Sequence, residues 1–168
     1  MEEILNRVAN SKLITFDLED FYPKGKRVLF DIKDWLLEEI VLKETDFRAY
    51  VKEHNWSQYQ DDYVALTCSC DAIIPSWAFL LVAAELSPYV KKTVVGNLEI
   101  LETVIFNDVI NDLDLSEFEA KPIIIKGCSE KKIPASAYTL LINKLQPIAK
   151  SIMFGEACST VPLYKSKK

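Results

Sequence analysis

The sequence predicts an α/β fold: a mixed, mainly parallel sheet with helices on both faces and an antiparallel strand pair near the N-terminus. Three observations point there. From residue 63 onward, short runs of strand-forming residues alternate with helical patterns. Before that, residues 13–18 (LITFDL) and 27–32 (RVLFDI) have the period of two of half-buried strands. Gly96, Gly127 and Gly155 each close a predicted strand, where the chain must turn without a side chain in the way.

Taken in order, Ile14, Phe16 and Leu18 share one face of the first strand, and Val28, Phe30 and Ile32 one face of the second. Tyr22-Pro23-Lys24-Gly25 between them has proline and glycine where a turn uses them, so the two strands are expected to pair antiparallel. Residues 33–43 are ambiguous, because Ile40-Val41-Leu42 suits a helix end or a strand. Thr45 is placed to cap a helix near 46–54, with Phe47, Tyr50 and Val51 on one face. Strands follow at 63–68, 93–96, 122–127 and 151–155, expected to be mutually parallel. Helices separate them at 76–86 (capped by Ser76), 98–110 and 135–145. No internal repeat, linker or low-complexity segment is visible, and residues 1–168 read as a single domain.

Composition narrows the function classes. Hydrophobic residues make up 49% of the chain, enough for a packed core. The net charge of −5 leaves no broad basic footprint for nucleic acid, and Lys165 to Lys168 read as a solvated basic tail. The most apolar stretch, Trp77 to Ala84, is too short to span a membrane and reads as a buried core helix. The acidic start, MEEILNRVAN, is unlike a secretory signal, so a cytoplasmic location with reduced thiols is expected. Self-association stays open.

All four cysteines fall just after predicted strands: Cys68 and Cys70, Cys128, and Cys158. Open parallel sheets bind ligands at that edge. Three chemistries fit. Cys68, Cys128 and Cys158 with Asp71 and Glu156 have the donor atoms to hold zinc or an iron–sulfur cluster, although Cys68-x-Cys70 is not a C-x-x-C spacing. Alternatively, Cys128 or Cys158 is the nucleophile of a thiol-dependent enzyme acting on a small molecule, with Asp71 or Glu156 as acid or base. In the third reading the cysteines are inert buried apolar residues of a protein-interaction module. His54, the only histidine, reads as a helix-end or surface residue. Asp17, Glu19, Asp20, Asp31 and Asp34 read as a solvated edge, and Trp77 and Phe79 as core.

The segments LEDFYPKGKRVLFDIKDWL, WSQYQDDYVALTCSCDAIIPSWAF, IIIKGC and KLQPIAKSIMFGEACSTVPLYK resemble an uncharacterised bacterial family, a domain of unknown function found mainly in Bacteroidetes. The resemblance covers nearly the whole chain, and KGC and GEACSTVP are its most specific parts. It brings no catalytic residues. Members often lie beside genes for iron–sulfur cluster assembly, which implies an accessory role in that process or in metal homeostasis, with assembly proteins as partners.

Overall fold

The computed structural model describes residues 13–127, 130–156 and 159–167. In chain order the elements are β1 (Ile14–Phe16), β2 (Arg27–Asp31), α1 (Glu44–Glu53), β3 (Tyr63–Thr67), α2 (Ser76–Leu86), β4 (Lys92–Val95), α3 (Leu98–Asp112), β5 (Pro122–Ile125), α4 (Ala135–Leu145), β6 (Ser151–Glu156) and β7 (Ser159–Lys165). They group into two compact units. One is continuous, Pro23–Ile105, and is called here the inserted unit. The other combines Met1–Tyr22 with Phe106–Lys168 and is called the split unit.

The inserted unit has a three-stranded, wholly parallel sheet in the order β2-β3-β4. β3 is central, and Tyr63, Val64, Ala65 and Leu66 are all buried, as the near-continuous apolar run YVALT requires. Phe30, Val64 and Leu66 pack with Phe47 and Val51 of α1 and with Ala78, Val82 and Leu86 of α2. The split unit has a four-stranded sheet in the order β1-β5-β6-β7. Its first three strands are parallel, and β7 pairs antiparallel with β6. Phe16, Ile123, Ile125 and Ile152 pack with Phe106, Ile110, Leu141 and Leu145.

The α/β class and the mainly parallel pairing are as predicted, but the antiparallel pair is C-terminal. β1 pairs with β5 and β2 with β3, both parallel. Each finds an apolar, fully buried neighbour within its own unit, and Tyr22-Pro23 is where the chain passes from one unit to the other. The four strands expected to be mutually parallel divide into β3 with β4 and β5 with β6, in two sheets. β7 was not foreseen: Pro162 breaks its donor row, which suits an edge strand, and Lys165 belongs to this strand instead of to a tail. Helix bounds fall close to expectation, but the caps do not. Lys43 and Pro75 occupy the N-cap positions of α1 and α2, neither with a side-chain cap bond. The core helix α2 leaves Leu80 68% exposed.

The two units repeat one design. With a single constant offset and no gap, residues 44–95, from α1 to the end of β4, align with residues 103–154, from the later part of α3 into β6. Pro75 and Pro134 start the second helix of each unit, and their carbonyls accept from Ala78 and Ala137. The buried triplets Ala78, Val82, Leu86 and Ala137, Leu141, Leu145 correspond. Asp61 and Ala120 both adopt left-handed backbone, with φ of 63° and 56°. Asp61 N–H donates to Tyr89 O at 2.8 Å, and Ala120 N–H to Ile148 O at 2.9 Å. The leading strands match as well, Phe16-Asp17-Leu18 with Phe30-Asp31-Ile32. The inserted unit thus interrupts the split unit between β1 and the later part of α3, whose first residues belong to the inserted unit.

Leu86 and Leu145 are equivalent and both fully buried. Leu86→Ala and Leu145→Ala are each expected to lower stability by about 2–5 kcal/mol in denaturant titration. A loss below about 1 kcal/mol at either position would contradict equivalent core roles.

Candidate functional site

The inserted unit carries the described thiols. β3 ends at Thr67, whose carbonyl accepts from Ile32 N–H at 2.9 Å, and the chain leaves the sheet at Cys68. The loop is then fixed from the neighbouring strand. Asp31, last in β2, accepts through Oδ1 from Ser69 N–H at 3.1 Å and from Lys33 N–H at 3.0 Å. With the intervening residue held in this way, the Sγ atoms of Cys68 and Cys70 lie 3.2 Å apart, within thiol–thiol hydrogen-bond reach. Both cysteines are free and partly exposed. Cys68 packs against the apolar core of its unit. The hydrogen bond shared with Cys68 holds the Cys70 thiol above the ordinary range, and desolvation and the Glu39 charge act the same way.

Residues 33–43, ambiguous in sequence, form a short 3-10 turn (Lys33–Trp35) and then a tight reversal. Leu37 bridges Val41, and Glu38 and Glu39 at the tip have φ of 52° and 57°. This is the geometry of a hairpin turn that ordinarily takes Asn-Gly, since both central residues need positive φ. Two glutamates there cost on the order of 1–3 kcal/mol each, a kind of strain that concentrates at functional segments. Leu37, Ile40 and Val41 on this turn are 52%, 63% and 52% exposed.

Two acidic residues expected on a solvated edge are structural acceptors. Besides Asp31, Asp17 accepts from Glu19 N–H at 2.9 Å and from Lys126 Nζ at 2.6 Å, which joins the end of β1 to the residue after β5. Burial pushes both carboxyls up. The hydrogen bonds outweigh it and hold both below the usual carboxylate range. Their place in the sequence could have revealed this, because each directly follows the strand phenylalanine, in Phe16-Asp17 and Phe30-Asp31. His54 ends α1, as expected, but among aromatic rings, with its centroid 4.5 Å from Trp56, 5.3 Å from Phe30 and 5.5 Å from Trp35. Its Nε2 meets the Tyr59 hydroxyl at 3.0 Å, and burial lowers its pKa, so the neutral ring is favoured over a charged surface histidine.

Of the predicted metal residues, Cys68 lies beside Cys70, and the exposed Asp71 follows directly in the chain. Cys128 and Cys158 lie outside the described residues. Glu156 ends β6 in the split unit, where its charge adds to that of Asp17 in raising the Lys126 pKa. Among the described residues, no three His, Cys, Asp or Glu side chains converge as metal ligands. A cleft of about 290 Å³ in the inserted unit is lined by Arg48, Val51, Lys52, Trp56, Leu81 and Glu85, and by none of the cysteines.

The family described as "Protein of unknown function (DUF2480)" matches residues 2–166. The chain belongs to the DUF2480 family. No curated protein and no solved structure matches it. In this DUF2480 chain no helix among the described residues is long and apolar enough to cross a membrane. The feature its structure adds to the sequence motif is the pinned Cys68-Ser69-Cys70 loop.

The lowered carboxyl pKa values set an acid limit. The unfolded chain binds more protons than the folded one near and below the ordinary carboxylate range, so the stability held by Asp17 and Asp31 is present above that range. It is lost as the pH falls through the lowered values, below about pH 4. Asp31→Asn should therefore show a shallower fall in melting temperature between about pH 5 and 3 than the unaltered chain. An unchanged slope would mean that the Ser69 and Lys33 hydrogen bonds do not depend on the charge.

Proposed function

We propose that the protein is a thiol-dependent accessory of metal or iron–sulfur homeostasis, in which Cys68 and Cys70 take up a soft cation as cargo. The observation that supports this reading is the 3.2 Å separation of the two sulfurs at the carboxyl end of the central strand of a parallel sheet. Two thiolates on one tetrahedral zinc stand roughly 3.8 Å apart, given Zn–S bonds of about 2.3 Å, so side-chain rotation of about half an ångström suffices. Thiolates select soft ions such as Cu(I) and zinc.

A two-thiol donor set suits carriage. A structural zinc site closes with four protein ligands. Here the described residues bring together two thiols, with Asp71 next in sequence, and no third His, Cys, Asp or Glu converges with them. A pair of thiols can pass a bound ion to a donor or acceptor that supplies the other ligands, which is what exchange between partners requires. Iron–sulfur assembly proteins are partners of this chemical type.

The test is anaerobic titration of the reduced full-length chain with Cu(I) and with zinc, read by elemental analysis after desalting. About one equivalent should be retained, and Cys68→Ser or Cys70→Ser alone should abolish retention, because a hydroxyl is a poor ligand for a thiophilic ion. Retention below about one-tenth of an equivalent, or equal retention in both serine variants, would sink the proposal.

A further inference from the structure

We propose that Cys68 and Cys70 form a two-thiol exchange centre that reduces small cationic disulfides. The proposal does not rest on metal uptake. It stands on the geometry of the pair and on the acidic groups around it.

Both thiols are partly exposed, and Cys68 packs in addition against the apolar core of its unit, so Cys70 is assigned the attacking role. Because its thiol is held above the ordinary range, Cys70 acts through the small fraction present as thiolate, whose sulfur is the more basic and nucleophilic, and that thiolate attacks one sulfur of R–S–S–R. The Cys70–S–R bond forms, the S–S bond breaks, and R–S⁻ leaves and takes up the proton lost by Cys70. The Cys68 sulfur, 3.2 Å from Cys70, then attacks the Cys70 sulfur of that mixed disulfide as thiolate. The second R–S⁻ leaves and takes up the proton of Cys68. In sum two protein thiols and one disulfide become one protein disulfide and two small thiols, with no other oxidant. The hydrogen bond from Ser69 N–H to Asp31 holds the residue between the sulfurs, which keeps the resolving thiol near the mixed disulfide. The ring that a C-x-C disulfide closes is small and the disulfide is itself readily reduced, so the exchange runs toward the Cys68–Cys70 disulfide when the small disulfide is in excess.

Charge selects the substrate. Asp31 ties down the loop, Asp71 follows Cys70, and Glu39 acts on Cys70 from the strained turn. Lys33 is the basic residue that acts on Asp31. The excess is acidic, so an amine-bearing disulfide is attracted and a carboxylate-bearing one repelled. Strain at Glu38-Glu39 acquires a role here, because relaxing that turn would move the Glu39 charge.

The experiment uses metal-free, reduced full-length chain carrying Cys128→Ser and Cys158→Ser, so that only the pair reacts. It is mixed anaerobically with cystamine or, separately, with dithiodiglycolate, and followed by mass spectrometry and peptide mapping. With cystamine the expected product is the Cys68–Cys70 disulfide, and Cys68→Ser should instead accumulate a mixed disulfide of Cys70 with cysteamine, the other half leaving as free thiol. Cystamine should react on the order of tenfold faster than the anionic disulfide at low salt, and Glu39→Gln should shrink that ratio. Stable adducts on both cysteines without an internal disulfide, or equal rates for the two probes at low salt, would overturn the proposal. If the serine background fails to fold, as judged by circular dichroism, the unaltered chain mapped at residues 68–70 gives the same readouts.

Discussion

A carboxylate at the end of one strand, hydrogen-bonded to the chain leaving the next, organises the thiol-bearing edge of the inserted unit. Asp31 closes β2 and holds Ser69 N–H, and the register Asp31↔Thr67 sets it level with the last residue of β3. Parallel pairing makes this available, because neighbouring strands end at the same edge and their exits face one another. In an antiparallel hairpin of β1 and β2, Asp31 would lie beside the start of β1 and the loop after β3 would lack its acceptor. The split unit uses the same position differently: Asp17 holds the ammonium of Lys126, the residue equivalent to Thr67. In each unit one charge-assisted contact does what a longer loop would need several bonds to do.

The internal repeat works as a built-in comparison. Where the units agree, the residues serve the fold: the proline before the second helix, its buried Ala-x3-aliphatic-x3-Leu stripe, the left-handed residue before the second strand and the positive-φ glycines Gly96 and Gly155 at the end of the third. Where they differ, the inserted unit departs from plain packing. Leu113, Leu115 and Phe118 of the split unit, an ordinary apolar group, correspond to His54, Trp56 and Tyr59, a cluster with polar ring atoms hydrogen-bonded to one another or to backbone. Gly127 corresponds to Cys68, so the paired thiols belong to the inserted unit's version of the loop. Among the described residues, the polar aromatic cluster and the paired thiols are departures of the inserted unit from the packing the two units share.

Most elements were legible because their signals are local. Helices expected at 76–86 and 135–145 and strands expected at 63–68 and 122–127 from short apolar runs meet observed elements that end within two residues of those bounds, and α1 follows from Phe47, Tyr50 and Val51. The strand partners were not legible, because a proline-glycine segment such as Tyr22–Gly25 marks a change of direction without saying which strand comes next to which. The same ambiguity hid the repeat: the leading strands stand at a different offset from the rest, since one unit interrupts the other. β7 escaped because Pro162 suppresses the strand signal that its neighbours carry. The thiol edge was legible in outline, with cysteines after strands. The partner of Cys68, however, is its near neighbour Cys70, and the residue that positions the pair, Asp31, had the alternation of a solvent-facing side chain.

The two chemistries proposed for Cys68 and Cys70 exclude one another at the atoms. A sulfur in a disulfide has no thiolate charge to give a cation, and a sulfur bound to a soft cation is a poorer nucleophile. Exchange with a disulfide would therefore release a bound ion, and bound ion would protect the pair from exchange. The acidic groups favour the same sign in both cases, since Glu39 and Asp71 attract a metal cation and an ammonium-bearing disulfide alike. A pair held by one backbone hydrogen bond, partly exposed and beside a strained acidic turn, thus has the elements of a site whose cargo depends on the thiol–disulfide balance around it.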